Sequence, residues 1–205
     1  MAQIPATDEL VGRELLLDVA LHLFMEDGYD GVSMQQIASA AHMTKGSPYY
    51  HFKGKEDLFL HAFATQVQRV NAGFLASLEV EGGLSERLVS AFAHLLRTTD
   101  PGMMRMLDDY RRLFADQCDA MVADLEATPE VMLRAYRRVF EDANLPLRLP
   151  PEQLAETLMA FQLSTVQIRV IRPDERGRPM TNVDARRIAE ETIDLFLHGA
   201  LAGDA

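Results

Sequence analysis

The stretch from Ser33 to Lys55, SMQQIASAAHMTKGSPYYHFKGK, leaves its chain few ways to fold. Ser33 precedes Gln36 by three positions, the spacing of a capping box, in which each residue satisfies a free backbone donor of the helix start. Ile37, Ala38 and Ala41 continue as an apolar stripe at helical spacing. A turn falls at Ala41-His42-Met43, and Thr44 is placed to cap a second helix from Lys45 to about Phe52. Small residues on the first helix let the second cross it closely, which predicts a helix-turn-helix. His42 stands in the turn, where positive φ in a non-glycine residue costs about 1 kcal/mol. Pro48 disfavours α geometry at Ser47 and crowds the Thr44 carbonyl, predicting a tightened or bent second helix.

Charge narrows the use of this segment. Asp and Glu number 31 in 205 residues, yet none occurs between Gly31 and Lys55. The same window holds Lys45, Lys53 and Lys55 with His42 and His51. An acidic chain, net charge −11, that clears one segment of negative charge is suited to presenting it to a polyanion. The competing reading is a helical hairpin with merely solvated lysines.

The rest reads as all-α. Helices are expected from Thr7 to about Asp27 with Gly28 as the stop, Lys55–Leu78, Leu84–Thr98, Pro101–Ala127, Pro129–Ala143, Pro151–Arg172 and Val183–Leu201. Proline recurs at first turns, where its missing N–H is harmless. The glycines and charges of 79–83 and the loop Pro173–Met180 punctuate the pattern. Hydrophobic residues at 48% suffice for a substantial core. The single cysteine, Cys118, excludes an intrachain disulfide and suggests a reducing compartment. No basic-then-apolar leader and no run of about 18 apolar residues appears, so a soluble, cytoplasmic chain without membrane contact is expected. The six histidines are scattered, and neither metal-site nor catalytic motifs occur. A non-enzyme needing no cofactor and no metal is the expectation.

Two apolar sets call for partners. Leu154, Leu158, Phe161, Thr165 and Ile168 alternate steps of four and three, as in a coiled-coil seam. Ile188, Thr192, Leu195 and Gly199, following Val183, offer a facing surface with small residues. The alternative is that both stripes face their own core. Phe92 and Leu96, then Met103, Met104, Leu107, Tyr110 and Phe114, then Met121, Tyr136, Phe140 and Phe161, supply adaptable side chains for a chamber taking an apolar or aromatic small molecule. Ordinary core packing accounts for them equally. Arg105, Asp108, Asp109, Arg111 and Arg112 read as a solvated, mutually paired face.

The run Phe24-x-x-x-Gly28-Tyr29-x-x-Val32-Ser33-x-x-x-Ile37-Ala38, followed by Thr44-Lys45-Gly46-Ser47-Pro48-Tyr49-Tyr50-His51-Phe52-Lys53-x-Lys55-Glu56-x-Leu58, resembles the N-terminal domain of TetR/AcrR-family transcriptional regulators. His42 replaces the family's usual turn glycine and Pro48 its usual aliphatic residue. The resemblance implies a three-helix DNA-binding domain over 1–54 and a helical ligand-binding and dimerisation domain over 55–205. It implies a homodimer, paired through the last two helices as a four-helix bundle, on a palindromic double-stranded operator. A small-molecule effector would release it. By the same resemblance Lys45, Gly46 and Tyr49 meet base edges or the adjacent backbone, and Gln35 reaches a base. Ser33, Ser47, His51 and Lys55 contact phosphates. Thr44, Pro48 and Tyr50 lie in the same interface, Phe52 is either an exposed reader or core, and Gln36 is either cap or contact. A scaffold without inducer, or a helical small-molecule-binding protein or enzyme with a degenerate helix-turn-helix, remain the alternatives.

Overall fold

The computed structural model describes residues 6–114, 128–171 and 181–200. Met121, Cys118 and the loop 173–180 lie outside the described residues. Within them are α1 (Ala6–Gly31), α2 (Met34–Ala40), α3 (Ser47–His51), α4 (Lys55–Leu78), α5 (Leu84–Thr98), α6 (Pro101–Phe114), α7 (Thr128–Asp142), α8 (Pro151–Ile171) and α9 (Asn182–Ala200), with no strand among the described residues. Helical hydrogen bonding is assigned through Gly31, but Gly28 breaks it with φ 72° and ψ 174°, so the regular helix ends at the glycine. The chain forms two compact units, Met1–Val67 with Pro101–Leu125, and Gln68–Asp100 with Glu126–Ala205.

In the first unit, Leu16, Ala20 and Phe24 of α1 are buried with Ile37 of α2, Phe52, and Leu58, Phe59 and Phe63 of α4. Met106, Tyr110 and Phe114 of α6 complete this core. Some of its aromatics meet edge to face, Phe24 and Phe59 at 5.1 Å and Tyr29 and Phe114 at 5.6 Å between centroids, and others stack, as Phe59 does with Phe63, both arrangements that ring quadrupoles allow. Of the residues read as a solvated, mutually paired face on α6, Asp108 and Arg111 are exposed and Arg112 pairs with Asp109, but Arg105, Asp109 and Arg112 also tie that helix to the end of α1. Arg105 Nη1 donates to the carbonyls of Met25 and Glu26, and the Tyr29 N–H donates to Asp109 at 2.7 Å. Arg112 Nη2 reaches both Asp30, at 2.8 Å, and Asp109. The end of α1 thus exposes carbonyls to a guanidinium, a favourable pairing at a helix C-terminus.

In the second unit, α9 packs on α5 and α8 on α7. Phe74, Leu88, Phe92, Leu96, Tyr136, Phe140, Leu154 and Leu158 share its core with Ile188 and Ile193. Gly73 permits a close approach of α4 and α5, since a Cβ there would lie 2.2 Å from Cε1 of His94. His94 Nε2 is 3.0 Å from the Val70 carbonyl, which accepts only, so this nitrogen carries the proton. Tyr136 donates to Gln162 Oε1 at 2.5 Å, while Gln162 Nε2, also buried, has no partner among the described residues.

The seam expected on α8 is divided by this packing. Leu154 and Leu158 face their own core, in line with Gln162 and Val166, so the buried stripe advances in steps of four. Ile188 is likewise core. Phe161 (39% exposed) and Ile168 (60%) lie on the next face of α8, with Thr165 half-buried, and on α9 Leu195 (66%) and Gly199 are exposed beside half-buried Thr192. The chamber residues are likewise distributed. Phe92, Leu96, Tyr136 and Phe140 fill the second unit's core, whereas Tyr110 and Phe114 fill that of the first, with Met103 and Leu107 packed against it. Met104 is half-buried and Phe161 exposed.

Candidate nucleic-acid interface

Local chemistry sets the start of α2. Ser33 is extended, at φ −118° and ψ 154°, and its Oγ accepts from the Gln36 N–H, while Gln36 Oε1 accepts from the Ser33 N–H at 2.8 Å and from its hydroxyl. This reciprocal pair takes up Gln36 as a cap and leaves Gln35, the neighbouring exposed amide, without a part in the capping box. Burial of Met34, Ile37 and Ala38 fixes which face of α2 looks inward. The helix closes at Ala41, and His42 takes φ 55° to reverse the chain. The Met43 N–H then bonds the Ala38 carbonyl at 2.8 Å.

The second helix is shorter than the spacing predicts. It runs Ser47–His51, with Gly46 as N-cap and no side chain capping it. Residues 45 and 46 form a turn in which the Ser47 N–H bonds the Thr44 carbonyl at 3.0 Å, and the Thr44 and Ser47 hydroxyls lie 2.8 Å apart. The physical reason is Pro48. Starting the helix at Lys45 would place its ring against the Thr44 carbonyl, whereas starting at Ser47 puts proline in the first turn, where no N–H is required. Pro48 is also buried, so it supports the helix from beneath instead of facing outward.

The outer face is what remains. Gln35, Thr44, Lys45, Gly46, Tyr49 and Tyr50 are exposed, the tyrosines at 60% and 65%, and Ser47 and His51 are half-buried at their edge. Two exposed tyrosyl rings and a lysine beside polar side chains make a surface able to donate hydrogen bonds and stack, with no carboxylate in its sequence. Phe52 points into the core, and Arg13 of α1 lies over its ring at 5.0 Å. Lys55 opens α4, its Nζ 4.1 Å from the centroid of Tyr29, a cation–π contact that anchors the ammonium over that ring. Burial, with Glu56 and Asp30 nearby, pushes the Tyr29 phenol above its ordinary range and keeps it neutral.

Sequence reading missed Arg13, and it missed the clasp of Arg105, Asp109 and Arg112 on the end of α1. Positions 105, 109 and 112 follow the one-face spacing of a helix, which was the available signal. Their partners stand about 80 residues earlier in the chain, beyond any local pattern. Among the described residues no cluster of three or more His, Cys, Asp or Glu is arranged to hold a metal ion, and no helix is long and apolar enough to cross a membrane.

Known proteins resemble both this face and the whole chain. Residues 16–62 match the family described as "Bacterial regulatory proteins, tetR family". The HTH-type transcriptional regulator AcrR of Shigella flexneri is 29% identical over 140 residues, 62% of this chain and 60% of that protein. The HTH-type transcriptional repressor DhaR of Mycobacterium sp. (strain GP1) is 26% identical over 80% of this chain and 85% of its own length. Among solved structures, a TetR-family regulator from Mesorhizobium loti MAFF303099 superposes with a TM-score of 0.73 at 18% identity, covering 95% of this chain and 98% of its own. FadR of Bacillus subtilis, solved in complex with stearoyl-CoA, does so with a TM-score of 0.63 at 16% identity, over 91% and 98%.

Proposed function

We propose that this chain, which belongs to the TetR/AcrR family of transcriptional regulators, is a homodimeric repressor that a mainly apolar small molecule releases from a palindromic operator. The observation that carries the reading is the exposed face of α2 and α3, which with Lys55 belongs to a segment, Gly31–Lys55, that holds no Asp or Glu. In it Lys45, Gly46 and Tyr49 approach base edges and the adjacent backbone, with Tyr50 beside them. Gln35 reads one base through its amide, and Ser33, Ser47, His51 and Lys55 hold phosphates. Residues 1–54 act as the DNA-binding domain and 55–205 as the ligand-binding and dimerisation domain. The protein works in the cytoplasm and catalyses no reaction.

Dimerisation uses the exposed apolar faces of α8 and α9, with Phe161, Ile168 and Leu195 at the centre. Two helix-turn-helix units then engage half-sites about 34 Å apart. The effector enters the second unit, where the free Nε2 of Gln162 offers a buried donor to a carbonyl or similar acceptor. FadR, with its stearoyl-CoA, supports an apolar chain ending in such a group on this fold. α4 begins beside the DNA-facing helix and continues into the second unit, so it is the covalent route by which occupancy reaches the operator. The coupling acts only through the effector's different affinity for the free and DNA-bound states, typically about 1–3 kcal/mol.

A scaffold without inducer is the second reading, favoured by the complete burial of Phe92 and Tyr136 in the second unit's core. Selection of duplexes from a random pool, followed by gel shift, tests the repressor. A palindrome with half-sites one helical turn apart is expected, and failure to retain any duplex in low salt overturns the reading. Titration of a released effector with and without operator separates the two readings: linkage demands a reciprocal loss of affinity, and equal affinities favour the scaffold.

A further inference from the structure

We propose that a cleft in the second unit, between the end of α4, α5 and α7, is a binding site for a small amphiphilic anion, a carboxylate or phosphate head on a short apolar chain. This site is separate from the effector core around Gln162 and does not rest on the repressor reading.

The cleft has a volume of about 240 Å³. That is below the roughly 300–1,000 Å³ of pockets for drug-sized ligands, so it suits a short chain. Its floor is apolar, with Leu78 and Val139 buried and Leu75 of α4 left 40% exposed. Its polar lining is Arg87, Arg134, Arg138 and Glu79. Arg134 and Arg138 stand one helical turn apart on α7, sharing a face with Ala135 and Val139, which places charge beside apolar surface in a single stripe.

The guanidinium groups are tethered and still have donors to spare. Arg87 Nε donates to the Leu78 carbonyl at 2.7 Å, which satisfies an orphan acceptor at the end of α4 and fixes the group at the cleft. Arg134 Nε donates to the Glu130 carbonyl at 3.3 Å, and Arg138 Nε stands 3.9 Å from Asp142. No described residue accepts from the terminal nitrogens of Arg87 or Arg134. Three arginines against two carboxylates, Glu79 in the lining and Asp142 beside Arg138, leave the cleft positive in a chain of net charge −11. Guanidinium forks match planar carboxylate and phosphate oxygens two at a time. An alkyl tail covering Leu75 adds the apolar share, about 25 cal/mol for each Å² removed from water.

Calorimetric titration of the full chain with hexanoate, hexyl phosphate, hexanol and hexylammonium tests the site. One anion per chain is expected, bound at least about tenfold tighter than hexanol, with hexylammonium weaker still. The order of hexanoate and hexyl phosphate identifies the head group. The Arg134→Gln/Arg138→Gln pair lies on exposed positions and should lower anion affinity at least about tenfold while leaving hexanol unchanged. Arg87→Lys keeps the charge but loses the fork, and should weaken the anion with the helical circular dichroism intact. Leu75→Asn should weaken anions and alcohol alike. Hexanol binding as tight as the anions, anion binding indifferent to the arginine substitutions, or no binding by the wild-type chain would each overturn the proposal. Operator binding by these variants stays at the wild-type level, so a failed titration leaves the repressor reading untouched.

Discussion

His42 shows how much one residue can carry at small cost. It holds φ 55° in the turn between α2 and α3, a conformation that L-residues other than Asn and Asp seldom visit. Replacing it by glycine removes that strain, and His42→Gly is expected to raise stability by about 1 kcal/mol in urea denaturation, less the unfolded-state entropy that glycine adds. At the DNA face two substitutions should separate positioning from reading. Lys55→Ala removes about one phosphate contact per subunit, weakening all duplexes alike and flattening the salt dependence by about one to two units per dimer. Gln35→Ala should keep the salt slope and relax preference at one base in each half-site. Equal losses on all sequences for both variants would mean that Gln35 reads no base.

Among the helices, the pairing of α4 with α5 carries a pH dependence. His94 sits against Gly73 and bonds the Val70 carbonyl. Its partial burial pushes its pKa below the ordinary 6.5, the Val70 bond opposes this, and nearby Arg97 adds to it. A histidine whose folded pKa is depressed binds fewer protons folded than unfolded, so stability rises with pH across the interval between the two values. The contribution is complete above about pH 6.5 and is lost as pH falls through that window toward the folded pKa. His94→Gln should therefore flatten the decline of stability below pH about 6.5, as read by thermal melts across pH. A decline of unchanged slope would assign the effect to other groups. α3 shows the reverse dependence, of an element on its sequence: the helix starts at Ser47 and not Lys45, which puts Pro48 in the first turn, where its ring is tolerated.

For the whole molecule the decisive property is assembly. Phe161, Ile168 and Leu195 leave apolar area uncovered on α8 and α9. Phe161→Glu with Ile168→Glu places like charges near the proposed two-fold axis, where burial would leave them unpaired. Sedimentation is expected to show a dimer for the wild type at micromolar concentration and a monomer for the double variant. A variant that remains dimeric moves the interface elsewhere. What could be read from sequence was local. The capping box of Ser33 and Gln36, the turn at His42, the stop at Gly28 and the helical spans each depend on residues within four positions of one another, and the acid-free window is visible by inspection. The clasp of Arg105 and Asp109 on α1, the burial of Leu154, Leu158 and Ile188 beside exposed Phe161, and the division of the aromatic residues between two cores depend on contacts far apart in sequence. An amphipathic helix reports that it has an apolar side. Only packing decides which of its apolar residues meet their own core and which are left for a partner, because burial is settled by what the rest of the chain brings against them.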